Sequence, residues 1–108
     1  MTKESIIEKA SNVLREKFNI PEEHINLYEE FLISSNNSFL FRDDISESIE
    51  DRAYKTYIAW FRHKKTDYDM DIRNVTTTEM KETIKRMYNT MGRNYLVERM
   101  KMIGRKEN

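Results

Sequence analysis

Ile6, Ile7, Ala10, Val13, Leu14 and Phe18 recur at steps of three and four residues, with polar and charged side chains between them. That spacing puts an apolar stripe on one side of a helix and predicts a helix from Thr2 to about Phe18. Thr2 is the expected N-cap, and Glu4 lies in the first turn, near the positive end of the helix dipole. Asn19-Ile20-Pro21 ends this helix and starts the next, since proline is tolerated at the first helical position. Glu22 and Glu23 suit a first turn, and Ile25, Tyr28 and Phe31 or Leu32 form a second stripe that ends near Ser34. Ser35-Asn36-Asn37-Ser38 reads as a loop. Phe39-Leu40-Phe41 is short enough to be either a brief strand or a hydrophobic plug.

The third element has the clearest pattern. Ile45, Ile49, Ala53, Tyr57 and Phe61 fall at strict four-residue steps, and Tyr54, Ile58 and Trp60 widen the stripe. Asp43 or Asp44 is the expected cap of a helix running from about Ile45 to Lys65. Acids lie early (Asp44, Glu47, Glu50, Asp51) and bases late (Arg62, His63, Lys64, Lys65), an order that suits the dipole. Residues 66–75 read as a polar loop. Thr76 with Glu79 makes a capping box. Met80, Ile84, Met87, Tyr88 and Met91 then form an apolar stripe, which places these methionines in the core, and Gly92 is the expected stop. Residues 93–103 fit a helix with Leu96, Met100 and Ile103 on one face. They also fit, less well, a strand containing Tyr95 and Val97; periodicity favours helix.

Composition adjusts this picture modestly. The chain has 108 residues, 38% hydrophobic and 35% charged, with a mean hydropathy of −0.86. Leu, Ile, Val and Phe together number 24 of the 108, just above the range in which disorder is the default. Six Tyr, seven Met and one Trp add core material, and two Gly and one Pro rule out a linker. The expected fold is a single mainly-α domain of four to five helices, with a helix-turn-helix or winged-helix-like arrangement in its C-terminal half. The absence of Cys excludes disulfides, thiolate zinc sites and a cysteine nucleophile. No apolar run approaches the ~18 residues of a membrane span, and MTKESIIEKA lacks the apolar stretch of a signal peptide. A cytoplasmic protein with no membrane partner is expected.

Zero net charge conceals an asymmetry. Residues 1–51 carry five Lys/Arg against twelve Asp/Glu, a balance of −7, and residues 52–108 carry fourteen against seven, a balance of +7. Such a split points to a nucleic-acid surface, to a complementary partner, or to mutual neutralisation of the two halves. Asp67, Asp69 and Asp71 alternate like a calcium loop, but Ile72 stands where that loop needs Gly and Thr78 where it needs Glu, so a solvated acidic loop is expected. His24 and His63 lack metal-ligand spacing with any partner. There is no phosphate-binding Gly-rich loop and no nucleophile elbow. No catalytic residue, metal ligand or cofactor is assigned, and a non-enzymatic role is expected.

The basic residues are the most informative. A capped helix with Lys81, Lys85 and Arg86 on its polar face follows a helix with a basic end, the order of a helix-turn-helix unit. The assigned nucleic-acid contacts are Arg62, Lys64, Lys65, Thr77, Thr78, Lys81, Lys85, Arg86 and Arg93, since Lys and Arg anchor phosphates and Thr reaches phosphates or base edges.

Tyr54-Lys55-Thr56-Tyr57-Ile58-Ala59-Trp60-Phe61 also resembles a helix near the C-terminus of poxvirus-type and satellite-phage-type viral helicase-primases. Over residues 54–103 the order of elements is similar to that family's winged-helix-like domain: a linker at 66–75, a short helix at 76–91 and a wing at 93–103. The resemblance implies contact with DNA and a strand at 93–103; no ATPase or primase motif accompanies it. The expected function is therefore a small nucleic-acid-binding protein, binding duplex DNA as a viral or phage accessory to replication or transcription. The alternative is a protein-interaction module, such as a phage-encoded inhibitor or adaptor docking on a host or defence protein, or pairing with itself as a homo-oligomer.

Overall fold

In the computed structural model the described residues are 2–34, 39–42 and 46–106, with side chains described as far as Met102. They form five α-helices and one 3-10 turn, in the order α1 (Lys3–Phe18), α2 (Glu22–Ser34), the turn Phe39–Phe41, α3 (Ile49–Lys65), α4 (Tyr68–Arg73) and α5 (Thr78–Lys106). The protein is a small all-α domain. The expected loop at Ser35–Ser38 and the expected caps Asp43 and Asp44 lie outside the described residues.

α1 starts where its pattern predicts, with the Thr2 hydroxyl accepting from the Ser5 N–H at 3.1 Å. It ends at Asn19, whose φ of 52° is left-handed and lets the Ile20 N–H close back on the Leu14 carbonyl. Pro21 then offers its carbonyl to the N–H groups of His24 and Ile25, which opens α2. α3 begins at Ile49, four residues later than the apolar spacing suggests. Ser48 caps it by accepting from the Asp51 N–H at 3.2 Å, so Glu50 and Asp51 occupy the first turn.

α3 is the centre of the domain and packs against both α1 and α5. Tyr57 and Trp60 are fully buried among Leu14 of α1, Ile25, Tyr28 and Leu32 of α2 and Leu96 of α5. Leu40 of the 3-10 turn is fully buried too, so this segment is a plug and not a strand. The buried hydroxyls of Thr56 and Ser11 are paired. Tyr28 Oη lies 2.7 Å from Thr56 Oγ1, and Thr56 in turn donates to a carbonyl one turn back. Ser11 donates to Glu29 at 2.7 Å and ties α1 to α2.

The C-terminal third departs from the expected layout in three ways. The polar stretch 66–75 contains α4, anchored by buried Tyr68, whose ring meets His63 and Tyr88 edge-on. Gly92 does not stop a helix. It lies inside α5 where α5 crosses α3, and a Cβ there would be 3.5 Å from Ile58 and Phe61. Residues 93–103 continue α5 as helix, as their periodicity predicts, and not as the strand that the helicase-primase resemblance implies; among the described residues there is no strand. At ~1.5 Å per residue, the 29 residues of α5 span nearly the whole 45 Å length of the molecule. Arg99 holds its C-terminal half in place by donating twice to the Asn19 carbonyl, at 2.9 and 2.6 Å.

Candidate nucleic-acid interface

The first turns of α5 are solvent-exposed. From Thr76 to Met87 every residue except half-buried Ile84 is exposed. Thr77, not Thr76, caps the helix: its hydroxyl accepts from the Met80 N–H at 3.2 Å, and its carbonyl accepts from the Lys81 N–H. That hydroxyl is engaged in holding the helix start. Thr78 is exposed one residue further on.

With 3.6 residues per turn, Met80, Ile84, Met87 and Met91 lie along one line of α5, and Lys85, Arg86 and Arg93 project from the other side, with Lys81 at its edge. The expectation that these methionines are core is overturned: Met80, Met87 and Met91 are 51%, 49% and 45% exposed. Tyr88, Gly92 and Leu96, one step round the helix, make the contact with the body instead. The side chains of Lys81, Lys85, Arg86 and Arg93 make no hydrogen bond or ion pair with any described residue. Glu79 and Glu82 share the exposed segment.

The remaining assigned residues do not all join this face. Arg62 is half-buried and fixed in position: it donates to Asn89 Oδ1 at 2.7 Å, and its guanidinium carbon lies 4.8 Å above the Tyr68 ring. Lys64 and Lys65 line two other grooves, one with Trp60, Leu27 and Glu30, the other with Asp67, Met87 and Met91. The Lys65 ammonium lies 5.9 Å over the Trp60 ring. The acids of 67–71 stay at this junction of α3, α4 and α5. Asp69 accepts from His63 Nδ1 at 2.7 Å, and Asp71 accepts the Tyr88 hydroxyl, which pushes that phenol up to about 12. The Lys64–Lys65 side is therefore partly covered by carboxylates.

The Lys85 side is different. A cleft of about 360 Å³ between α2, the 3-10 turn, α3 and α5 is lined by Lys55, Arg62 and Lys85 together with Phe31 and Phe39, and among the described residues no acid lines it. Lys55 and Arg62 share a stripe with Ala59 at steps of four and three on α3, which sequence alone could have flagged. The aromatic wall comes from two other elements, and no local pattern announces it.

The ion pairs between described residues are Arg15–Glu22, Lys17–Glu50, Lys55–Glu47, His63–Asp69 and Lys101–Glu98. Of these, Lys55–Glu47 is the pair that joins the acidic and basic halves. Among the described residues no group of His, Asp or Glu side chains could hold a metal ion, and no helix is long and apolar enough to cross a membrane. Comparison with family models, with curated proteins and with solved structures gives no match.

Proposed function

We propose that this protein binds nucleic acid, with the exposed first half of α5 laid along a groove and its cations on the phosphates, as a non-enzymatic accessory to replication or transcription. The reading rests on one observation: among the described residues the side chains of Lys81, Lys85, Arg86 and Arg93 are unpaired on an exposed stretch of helix. Unpaired cations on an exposed helix are the footprint of a phosphate-contacting element. Four phosphate contacts imply about a hundredfold loss of duplex affinity between 50 and 200 mM salt. The test is titration of a labelled random-sequence duplex at those two salts with wild type and with the double variant Lys81→Glu, Arg86→Glu. The variant should lose at least tenfold in affinity at the lower salt and keep its melting temperature. Absence of wild-type binding at 50 mM salt overturns the reading.

A second reading, a protein-interaction module, is favoured by a different observation: Met80, Met87 and Met91 form an exposed apolar line beside half-buried Ile84. Methionine faces of this kind are adaptable contact surfaces. Both readings place the function on α5, on opposite sides of it.

A further inference from the structure

The cleft beside Lys85 has a chemistry of its own. Lys55, Arg62 and Lys85 line one cleft in which no described residue supplies a carboxylate, and half-buried Arg62 is there a cation whose burial is unfavourable unless an anion meets it. Lys55 is held from outside by Glu47 at 2.6 Å and sits 5.5 Å over the Phe39 ring. Its charge is thereby answered, which leaves Arg62 and Lys85 to carry the cleft's net charge. Arg62 is preorganised by Asn89 and Tyr68, so its guanidinium needs no ordering to receive a ligand. Lys85 has no described partner. Phe31 and Phe39 line the same cleft and are both only half-buried, and α3 contributes Ala59, whose small side chain leaves the space open. A volume of about 360 Å³ lies within the usual range for small-ligand sites.

A fixed guanidinium with an exposed lysine beside it, together with aromatic side chains in the same cleft, matches one kind of ligand, an anion that carries a flat ring. We infer that the cleft takes a single unpaired nucleotide, its phosphate on Arg62 and Lys85 and its base against Phe31 and Phe39. This inference rests on the nucleic-acid reading above and sharpens it: the protein prefers a strand with unpaired bases over a fully paired duplex, because a paired base cannot leave its stack to reach the cleft without an added cost. The shared chemistry could come from a free nucleotide or from a single strand, and the experiment separates the two.

The experiment compares three probes by fluorescence anisotropy or NMR titration at 50 mM salt: a twelve-residue oligothymidylate, a duplex of the same length, and thymidine monophosphate. The proteins are wild type, Phe39→Ala and Lys85→Ala, each first checked for an unchanged circular dichroism melt. If Phe39→Ala alters the melt, Phe39→Leu replaces it, since leucine keeps the apolar volume and removes the stacking face. The expected result is single-strand affinity above duplex affinity, with about a tenfold single-strand loss in the Phe39 variant and no more than twofold on duplex. Lys85→Ala should weaken both strands. Monophosphate binding with amide shifts confined to Thr56, Ala59 and Arg62, without a preference for single strands, assigns the cleft to a free nucleotide and overturns the strand preference. Duplex binding with no single-strand preference and no effect of Phe39→Ala overturns the cleft proposal while the α5 reading stands. No binding of any probe overturns both.

Discussion

His24 shows how a single side chain ties three helices together and makes the fold sensitive to pH. It sits near the start of α2, with Nδ1 3.1 Å from Tyr57 Oη on α3 and 3.5 Å from Tyr95 Oη on α5, and its ring tilts against Trp60. Burial lowers its pKa and Lys65 lowers it further; Glu23 opposes them, and Arg99 adds a smaller lowering. The neutral ring is therefore the form the fold prefers. A histidine whose pKa is lower folded than unfolded contributes nothing to the pH dependence above its unfolded value of ~6.5. As pH falls below that value the unfolded chain takes up the proton first, and stability declines until the folded pKa is passed. The melting temperature should thus fall between pH 7 and pH 5.5. His24→Gln, which can still reach Tyr57 but does not titrate, should show a flatter profile over that interval. Identical slopes for the two proteins would remove His24 from this role. The sequence places His24 beside the apolar stripe of α2; that its partners would be two tyrosines on other helices is a property of packing, which no local spacing encodes.

Helix starts and core stripes were legible at the scale of the element because they are local. Thr2, Ile25, Tyr28, Leu32, Ala53 and Tyr57 sit where short-range spacing puts them, and the charge order of α3 agrees with its dipole. The misread elements are those where a distant contact outweighs a local signal. Tyr68, Ile72 and Val75 carry a faint helical spacing that the acids of 67–71 obscure, and α4 forms because Tyr68 finds His63 and Tyr88. Gly92 looks like a stop, but Leu96 beyond it packs into the core and Arg99 bonds to Asn19 at the end of α1, contacts that reward continuing the helix. The close crossing of α5 over α3 leads to a definite expectation. A Cβ at position 92 would meet Ile58 Cγ2 and Phe61 Cδ1 at 3.5 Å, ordinary van der Waals contact, and φ there is not positive. Gly in a helix interior is about 1 kcal/mol less favourable than Ala. Gly92→Ala should therefore raise stability by up to ~1 kcal/mol in urea unfolding. A loss of stability would mean that α3 and α5 lie closer than the structure has them, or that the helix breaks at Gly92.

For the molecule as a whole, the question is what the charge split does. If the acidic and basic halves existed to neutralise each other, ion pairs would run between them. Among the pairs between described residues Lys55–Glu47 alone runs between the halves, and the side chains of Lys81, Lys85, Arg86 and Arg93 pair with no described residue. Spacing and charge order locate these cations and the helix that carries them, but not the turn of Lys64 and Lys65 toward Asp67 and Trp60, because that depends on how α3 ends against α4 and α2. Salt separates a structural role for this charge from a functional one. Exposed ion pairs contribute ~0–1 kcal/mol each and are screened, so raising salt from 50 to 200 mM should change unfolding free energy by less than about 1 kcal/mol. Over the same interval nucleic-acid affinity should fall about a hundredfold if four phosphates are held. Stability and affinity should therefore respond to salt on different scales in one sample, with the steep response carried by α5. If instead unfolding free energy fell steeply with salt while affinity barely moved, the basic half would be a structural counterpart of the acidic half, and the function would have to be sought on the methionine side of α5.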